Sequence, residues 1–167
     1  IYGDKKTGVS VHMMEQKVDT GRIIKQTIIP LTQGIYIHQF QKILLSVYEN
    51  IMLESVRLCI DGYQGVEQKP ADCRYYGKIS LSDRRILLSD GVKKAYGKIR
   101  AFSAPYDGAI FDNKIILKAN LLEVDIFSSL CHMSGKGLHT INGKMYLLLE
   151  DGGLGKIKWK DYDSKTK

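Results

Sequence analysis

The stretch TGVSVHMMEQKVDTGRIIKQTII, residues 7–29, contains two strand-like segments separated by a polar loop. Residues 8–14 alternate between apolar and polar side chains, and residues 22–29 are rich in β-branched side chains. Both patterns predict β-strands. The connection is shorter than a parallel crossover requires, so we predict that the strands pair antiparallel. The intervening loop, called the D-x-G loop after Asp19, Thr20 and Gly21, would then form a hairpin tip.

A long helix is predicted from about residue 34 to residue 60. Thr32 suits an N-cap, and apolar residues recur at spacings of three, four and seven, which indicates one apolar stripe. The stripe consists of Ile37, Phe40, Ile43, Leu44, Val47, Ile51 and Leu58. The glycines, proline and polar residues that follow predict a linker over residues 63–74. We therefore predict two domains, residues 1–62 and residues 75–167.

The second half of the chain predicts one helix and several short strands. The helix covers about residues 90–102, and it follows an irregular segment with a short turn. Tight turns are expected at Asp112-Asn113 and at Asn142-Gly143, each between strand-like segments. Short strands joined by tight turns in so small a module are typical of an antiparallel barrel or sandwich.

The composition of the 167 residues excludes some functional classes. Apolar residues are abundant enough for a core, but no apolar run reaches the roughly 18 residues of a membrane helix, and no signal peptide is recognisable. We therefore expect a cytoplasmic protein without a membrane partner. Three well-separated cysteines predict reduced thiols, and Cys131, His132 and His139 do not have the spacing of a zinc site. The formal charge of +7 favours anionic partners without choosing among them.

GDKKTGVSVHMMEQKVDTGRII, residues 3–24, resembles the folate-dependent formyltransferase family. In that family a G-V-T-I-H-x-M strand leads to a D-x-G loop and then to a strand that begins with paired isoleucines. CRYYGKIS, residues 73–80, and IRAFSAPYDGAIF, residues 99–111, are similar to the rear of the same family. The resemblance implies an α/β fold: the C-terminal portion of a Rossmann-like mixed sheet with its long helix, then a small antiparallel, barrel-like β module.

The resemblance also implies a reaction and its residues. The family transfers a formyl group from 10-formyltetrahydrofolate to an amine, and the aspartate of its D-x-G loop is catalytic, which corresponds to Asp19. Amine attack creates an oxyanion and releases a proton, so a carboxylate beside an oriented imidazole is useful. The loop backbone contacts the pterin ring of the cofactor, which corresponds to the neighbourhood of Met14, Gln16 and Val18. Gly21 would let the backbone turn closely beside that ligand.

The family's catalytic asparagine and histidine form an N-x-H motif, and this sequence contains no N-x-H. We expect the motif upstream of residue 1 and expect an incomplete active site in the chain as given. His12, in the first strand, is interpreted as a hydrogen-bonded strand histidine rather than the catalytic one.

Three functions stay open at this point. The Pro105-Tyr106 corner favours transfer to a nucleotide-linked amino sugar. The basic, β-rich tail keeps a methionyl-tRNA formyltransferase, with tRNA as partner, as the alternative. A noncatalytic binding or dimerisation module is the third interpretation, and in it the hairpin HTINGKMYLLLE, residues 139–150, is a candidate homodimer interface.

Overall fold

The computed structural model describes residues 1, 3–69 and 76–162. The chain folds into two compact units. The hairpin unit comprises Asp4–Ile35 and Gln39–Lys78, and the C-terminal unit comprises Ile1–Gly3, Tyr36–His38 and Ile79–Lys167. Residues 70–74 of the predicted linker, with Cys73, and the neighbouring Tyr75 lie outside the described residues. Among the described residues, no helix is both long enough and apolar enough to cross a membrane.

The hairpin unit contains the two strands predicted from residues 7–29. Strand β1 covers Lys6–His12 and strand β2 covers Ile23–Pro30. They pair antiparallel, with Val9 opposite Thr27 and a register shift between Val11 and His12, so the predicted hairpin is confirmed. The D-x-G loop is therefore the connection between these strands, residues 13–22.

Helix α1, Ile37–Ile60, confirms the predicted long helix, although it begins at residue 37 rather than at residue 34. One side of the helix packs on the hairpin, where Ile51 forms a small core with Val9 and Ile29. Phe40, Leu44 and Val47 of the predicted stripe border this core. Ile43, also predicted for the stripe, is exposed.

The C-terminal unit is a five-stranded antiparallel sheet with helices at its connections. Its helices are α2 (Leu81–Arg84), α3 (Gly91–Ala101) and α4 (Val124–Ser134), and a 3₁₀ turn, Leu88–Asp90, lies between α2 and α3. Its strands are β3 (Ala109–Phe111), β4 (Lys114–Leu121), β5 (Gly137–Ile141), β6 (Lys144–Leu148) and β7 (Gly153–Asp161). The strand order in the sheet is β3-β4-β7-β6-β5.

The core of this unit lies between α3 and the sheet. Ile99 of α3 is buried together with Ile116, Leu147 and Leu154 of the strands. The predicted turn at Asn142-Gly143 joins β5 to β6, and both residues have positive φ, as a type I′ turn requires. Helix α4 was not predicted, because its eleven residues carry serines and lie beside glycines that favoured a loop.

Candidate active site

The D-x-G loop presents Asp19 at its tip. The backbone of Asp19 is left-handed, with φ of 59°. Aspartate tolerates this conformation better than most residues because its short side chain bonds locally. The side chain of Asp19 is 85% exposed. The carboxylate is therefore accessible to a ligand rather than used for packing.

Gly21 holds the two ends of the D-x-G loop close together. A β-carbon at this position would lie 1.7 Å from the carbonyl oxygen of Met13, a distance that no side chain can adopt. Next to this contact, the amide of Met13 donates a hydrogen bond of 2.9 Å to the carbonyl of Arg22. The geometry thus explains the glycine by close approach of two backbone segments. The predicted role of Gly21 beside a bound ligand stays a prediction.

His12 ends β1 beside the aspartate. Its Nδ1 lies 2.8 Å from the carbonyl oxygen of Met13, and since a carbonyl only accepts, Nδ1 carries the proton and donates. In the neutral ring, Nε2 is therefore an acceptor. Nε2 lies 3.6 Å from Oδ1 of Asp19, so the two groups form an ion pair when the ring is protonated. The predicted hydrogen bond of His12 is confirmed, and the bond fixes the ring next to the carboxylate.

Gln68 supports the D-x-G loop from a distant part of the sequence. Its side-chain amide donates hydrogen bonds of 2.9 Å to the carbonyl of Asp19 and 2.7 Å to the carbonyl of Gly21. Val66 positions this segment, because its amide and carbonyl bond reciprocally with Ile23 at 2.9 and 2.8 Å. Gln68 was not predicted as a functional residue, because it lies in the predicted linker. The β-branched Val66, two positions before it, is a weak local signal of an extended segment.

The loop residues predicted for cofactor binding are exposed. The side chains of Met14 and Val18 are 94% and 85% exposed, and Gln16 is exposed as well. Within the described part of the chain, the backbone groups of these three residues have no hydrogen-bond partner. Apolar surface beside free backbone donors and acceptors is the combination that a planar heterocycle with a hydrogen-bonding edge requires. Binding of a pterin by this part of the loop stays a prediction.

The Pro105-Tyr106 corner, which the sequence singled out, is built by the C-terminal unit. Arg84 donates a hydrogen bond of 3.0 Å to the carbonyl of Gly108 and lies 3.3 Å from the carboxylate of Asp107. Tyr106 is half exposed. No three His, Cys, Asp or Glu side chains among the described residues gather as metal ligands would.

The chain is similar to several formyltransferases. No family model matches the chain. The methionyl-tRNA formyltransferase of Carboxydothermus hydrogenoformans is 28% identical over 110 residues, which cover 64% of this chain and 35% of that protein. The corresponding enzyme of a Wolbachia strain from Drosophila simulans is 28% identical over 154 residues, covering 92% of this chain and 48% of that protein.

Among solved structures, the N-formyltransferase from Helicobacter canadensis, in complex with folinic acid and dTDP-3-aminofucose, superimposes with a TM-score of 0.71. The alignment covers 95% of this chain and 57% of that one at 19% identity. The chain is related to the formyltransferases.

This relationship confirms the predicted resemblance and the predicted fold class. The chain spans about a third to a half of the length of the curated formyltransferases that it matches. Its sheet and helices correspond to about half of the solved formyltransferase, as the C-terminal portion of such an enzyme would. The roles of Asp19, Met14, Gln16, Val18 and Gly21 stay predictions.

Proposed function

We propose that this chain forms part of an N-formyltransferase that transfers a formyl group from 10-formyltetrahydrofolate to the amine of a nucleotide-linked amino sugar. The observation that carries the proposal is the D-x-G loop itself. It presents an exposed carboxylate at Asp19 next to a fixed imidazole and beside an apolar, hydrogen-bonding surface. The relatives with a matching sequence are formyltransferases, which supports the same reaction class.

Five residues of the D-x-G loop, together with Gln68, have roles in this proposal. Bound 10-formyltetrahydrofolate would supply the activated formyl group. Asp19 accepts a hydrogen bond from the catalytic imidazole or from a water, and so stabilises the positive charge that the imidazole gains when it takes the proton from the amine. Gly21 and Gln68 fix the backbone at Asp19 and just after it. Met14, Gln16 and Val18 hold the pterin.

The proposal requires an asparagine and a histidine that these 167 residues do not supply as an N-x-H motif. We propose that further polypeptide contributes them, and that this chain without such polypeptide has an incomplete active site. The functional test therefore uses the full-length polypeptide that the gene encodes.

The test is the substitution Asp19→Asn, which keeps the shape and removes the charge. We expect kcat for formyl transfer to fall about 100-fold or more, the size of a lost acid-base contribution. Asp112→Asn is the matched control, because Asp112 is another aspartate at a turn with φ of 51°. Formyl transfer is followed with 10-formyltetrahydrofolate as donor. Activity of Asp19→Asn within threefold of the control would remove Asp19 from the reaction.

A second acceptor is supported by a specific observation. The curated relatives are methionyl-tRNA formyltransferases, which favours the methionyl group of a tRNA. Parallel assays with a dTDP-linked amino sugar and with methionyl-tRNA distinguish the two acceptors. Formylation of the tRNA alone would replace the sugar in our proposal and leave the role of Asp19 unchanged.

We further propose that the chain forms a homodimer through the hairpin of residues 139–150. That hairpin consists of β5 and β6, joined by the turn at Asn142-Gly143, and its outer strand β5 is an edge of the sheet, on the side away from β7. Sedimentation velocity of the purified chain over a wide range of protein concentrations measures the fraction of dimer. A monomer at all concentrations would contradict this proposal.

A further inference from the structure

Strands β6 and β7 of the C-terminal unit pair only over a short distance. The ladder between them contains Leu147 opposite Leu154 and Leu148 opposite Gly153. The start of β6, from Lys144, and the rest of β7, as far as Asp161, are not paired with each other. A cleft opens where this ladder stops, and we call it the β6–β7 cleft. Its lining residues are Thr140, Gly143, Lys144, Met145, Lys156, Ile157 and Trp159.

The backbone of β7 is distorted beside this cleft. Asn120 of β4 pairs with Gly155, and Lys118 pairs with Lys158, so two residues of β7 stand opposite one residue of β4. One of these two is Lys156, which has φ of 49°. Positive φ is uncommon for lysine and unfavourable, and bulges of this kind change the direction in which a side chain points. The strand therefore departs from regular geometry at a residue that lines the cleft.

The cleft carries positive charge. Two of its lining residues, Lys144 and Lys156, form no ion pair among the described residues, and neither do Lys158 and Lys160 farther along β7. Other lysines of the same unit do have carboxylate partners, such as Lys136 with Glu150 at 3.0 Å. Uncompensated lysines around a concave surface attract an anion.

Trp159 adds a planar apolar surface to this charge. The side chain is 41% exposed, and Nζ of Lys114 lies 4.1 Å from its ring centroid, which orients the indole. Met145 and Ile157 are the neighbouring apolar walls. Aromatic side chains beside lysines are the elements with which proteins bind a nucleobase and its phosphate.

We infer that the β6–β7 cleft binds a nucleotide, whose base stacks on Trp159 and whose phosphates pair with Lys144 and Lys156. The nucleotide is either free, as in a nucleoside diphosphate, or part of a single-stranded nucleic acid, because both present the same base and phosphate. This inference does not depend on formyl transfer at the D-x-G loop.

The purified chain offers a direct measurement, because Trp159 is the single tryptophan of the sequence. Its fluorescence is titrated with thymidine 5′-diphosphate, with thymidine and with inorganic pyrophosphate. We expect saturable quenching by the diphosphate, and binding at least about tenfold weaker for each of the two fragments, since each lacks one of the two contacts. Pyrophosphate binding as tight as the nucleotide would overturn the inference.

Variants locate the binding. Lys144→Ala combined with Lys156→Gly should weaken binding about 100-fold, tenfold for each charge-assisted contact, and glycine suits the positive φ at position 156. Lys5→Ala combined with Lys93→Ala removes the same charge elsewhere and should change affinity less than twofold. By calorimetry, Trp159→Ala should lose about five- to 150-fold in affinity, and Trp159→Phe should retain most of it.

The remaining outcomes are also decisive. Nucleotide affinity that none of the cleft variants alters would place the nucleotide elsewhere and overturn the inference. An octauridylate that binds more tightly than the diphosphate, with a steeper salt dependence, identifies nucleic acid as the source. Equal affinity identifies the free nucleotide. Asp19→Asn should leave the titration unchanged, so failure of the proposed formyl transfer and failure of this site are distinguishable.

Discussion

The two units of the chain differ in how completely they bury their own apolar residues. In the C-terminal unit, Ile99, Ile116, Leu147 and Leu154 are fully buried against one another. In the hairpin unit, a small core around Ile51 coexists with a row of exposed apolar residues on α1. That row is Leu45, Met52, Leu53, Val56 and Ile60.

The cause of this difference is the number of secondary-structure layers that pack against α1 within its own unit. A helix that is apolar on two sides is typical of an element covered on both. The hairpin unit supplies one two-stranded sheet, and a two-stranded hairpin is marginally stable by itself. The unit that carries the candidate active site therefore gains less from its own packing than the C-terminal unit does.

Matched leucine substitutions test this comparison with the largest expected effect. Leu154 is 0% exposed and Leu53 is 61% exposed. We expect Leu154→Ala to lower the free energy of unfolding of the C-terminal unit by about 4 kcal/mol, because a buried cavity remains. Leu53→Ala should cost the hairpin unit less than about 0.5 kcal/mol. Native-state hydrogen exchange reads the amides of each unit separately.

A cost above about 2 kcal/mol for Leu53→Ala would break the comparison. It would mean that the outer side of α1 is buried in solution. Ile60→Ala, at a residue that is likewise exposed, is then the second variant, and it should repeat the cost if the whole row is covered.

The second test uses the different ion pairs of the two units. The side chain of Asp90, at the start of α3, is buried and bonds to Lys94 at 2.7 Å and Lys98 at 2.6 Å. The ion pairs of the hairpin unit, Arg22 with Glu67 and Lys25 with Glu54, are exposed. Burial acts to raise the pKa of Asp90, but the hydrogen bonds from both lysines and from the Leu87 amide outweigh it and lower the pKa to about 2.

The sign of the pH dependence follows from this lowered pKa. The ordinary pKa of the carboxyl is 3.8, so its contribution to stability is complete above about pH 5 and is lost as the pH falls towards 2. The shift corresponds to about 2 kcal/mol. Asp90→Asn, which leaves the buried Lys98 uncompensated, should destabilise the C-terminal unit by about 2 to 3 kcal/mol at pH 7 and abolish this acid dependence.

Asp125→Asn is the control for this prediction, because Asp125 is an exposed aspartate in the first turn of α4. Hydrogen exchange between pH 3 and pH 6, corrected for intrinsic rates, measures the effect. Equal acid sensitivity of Asp90→Asn and the control would show that Asp90 does not stabilise the unit through its charge.

The sequence predicted those elements whose signals are local. The alternation in residues 8–14 and the spacing in α1 predicted the hairpin and the long helix, because each pattern repeats within one element. The support of the D-x-G loop could not be predicted, since Gln68 bonds to residues 47 and 49 positions away. The β6–β7 cleft could not be predicted from the sequence either, because it depends on where pairing between two strands stops.

Gly21 is a second example of a contact that local sequence does not predict. The family resemblance singled out Gly21 as a position where the backbone turns closely beside a ligand, and that role stays a prediction. Only the fold identifies Met13 as the partner, because the two ends of the loop meet when β1 pairs with β2. The contact of Gly21 with Met13 could therefore not be predicted from the sequence alone.

The smallest expected effect concerns the loop on which the proposed role of Asp19 depends. Gln68→Ala removes the two hydrogen bonds to the carbonyls of Asp19 and Gly21, which together should contribute about 1 to 2 kcal/mol. Gln64→Ala is the matched control, because among the described residues the Gln64 side chain bonds only to the nearby carbonyl of Gly62. We expect faster amide exchange in residues 13–22 for Gln68→Ala, with unchanged exchange in β4 and β7. Because the hairpin unit has only a small apolar core, the loss of a single side chain should be enough to increase amide exchange in the loop. Equal exchange in both variants would show that the close approach at Gly21, without Gln68, is sufficient to hold Asp19 in place.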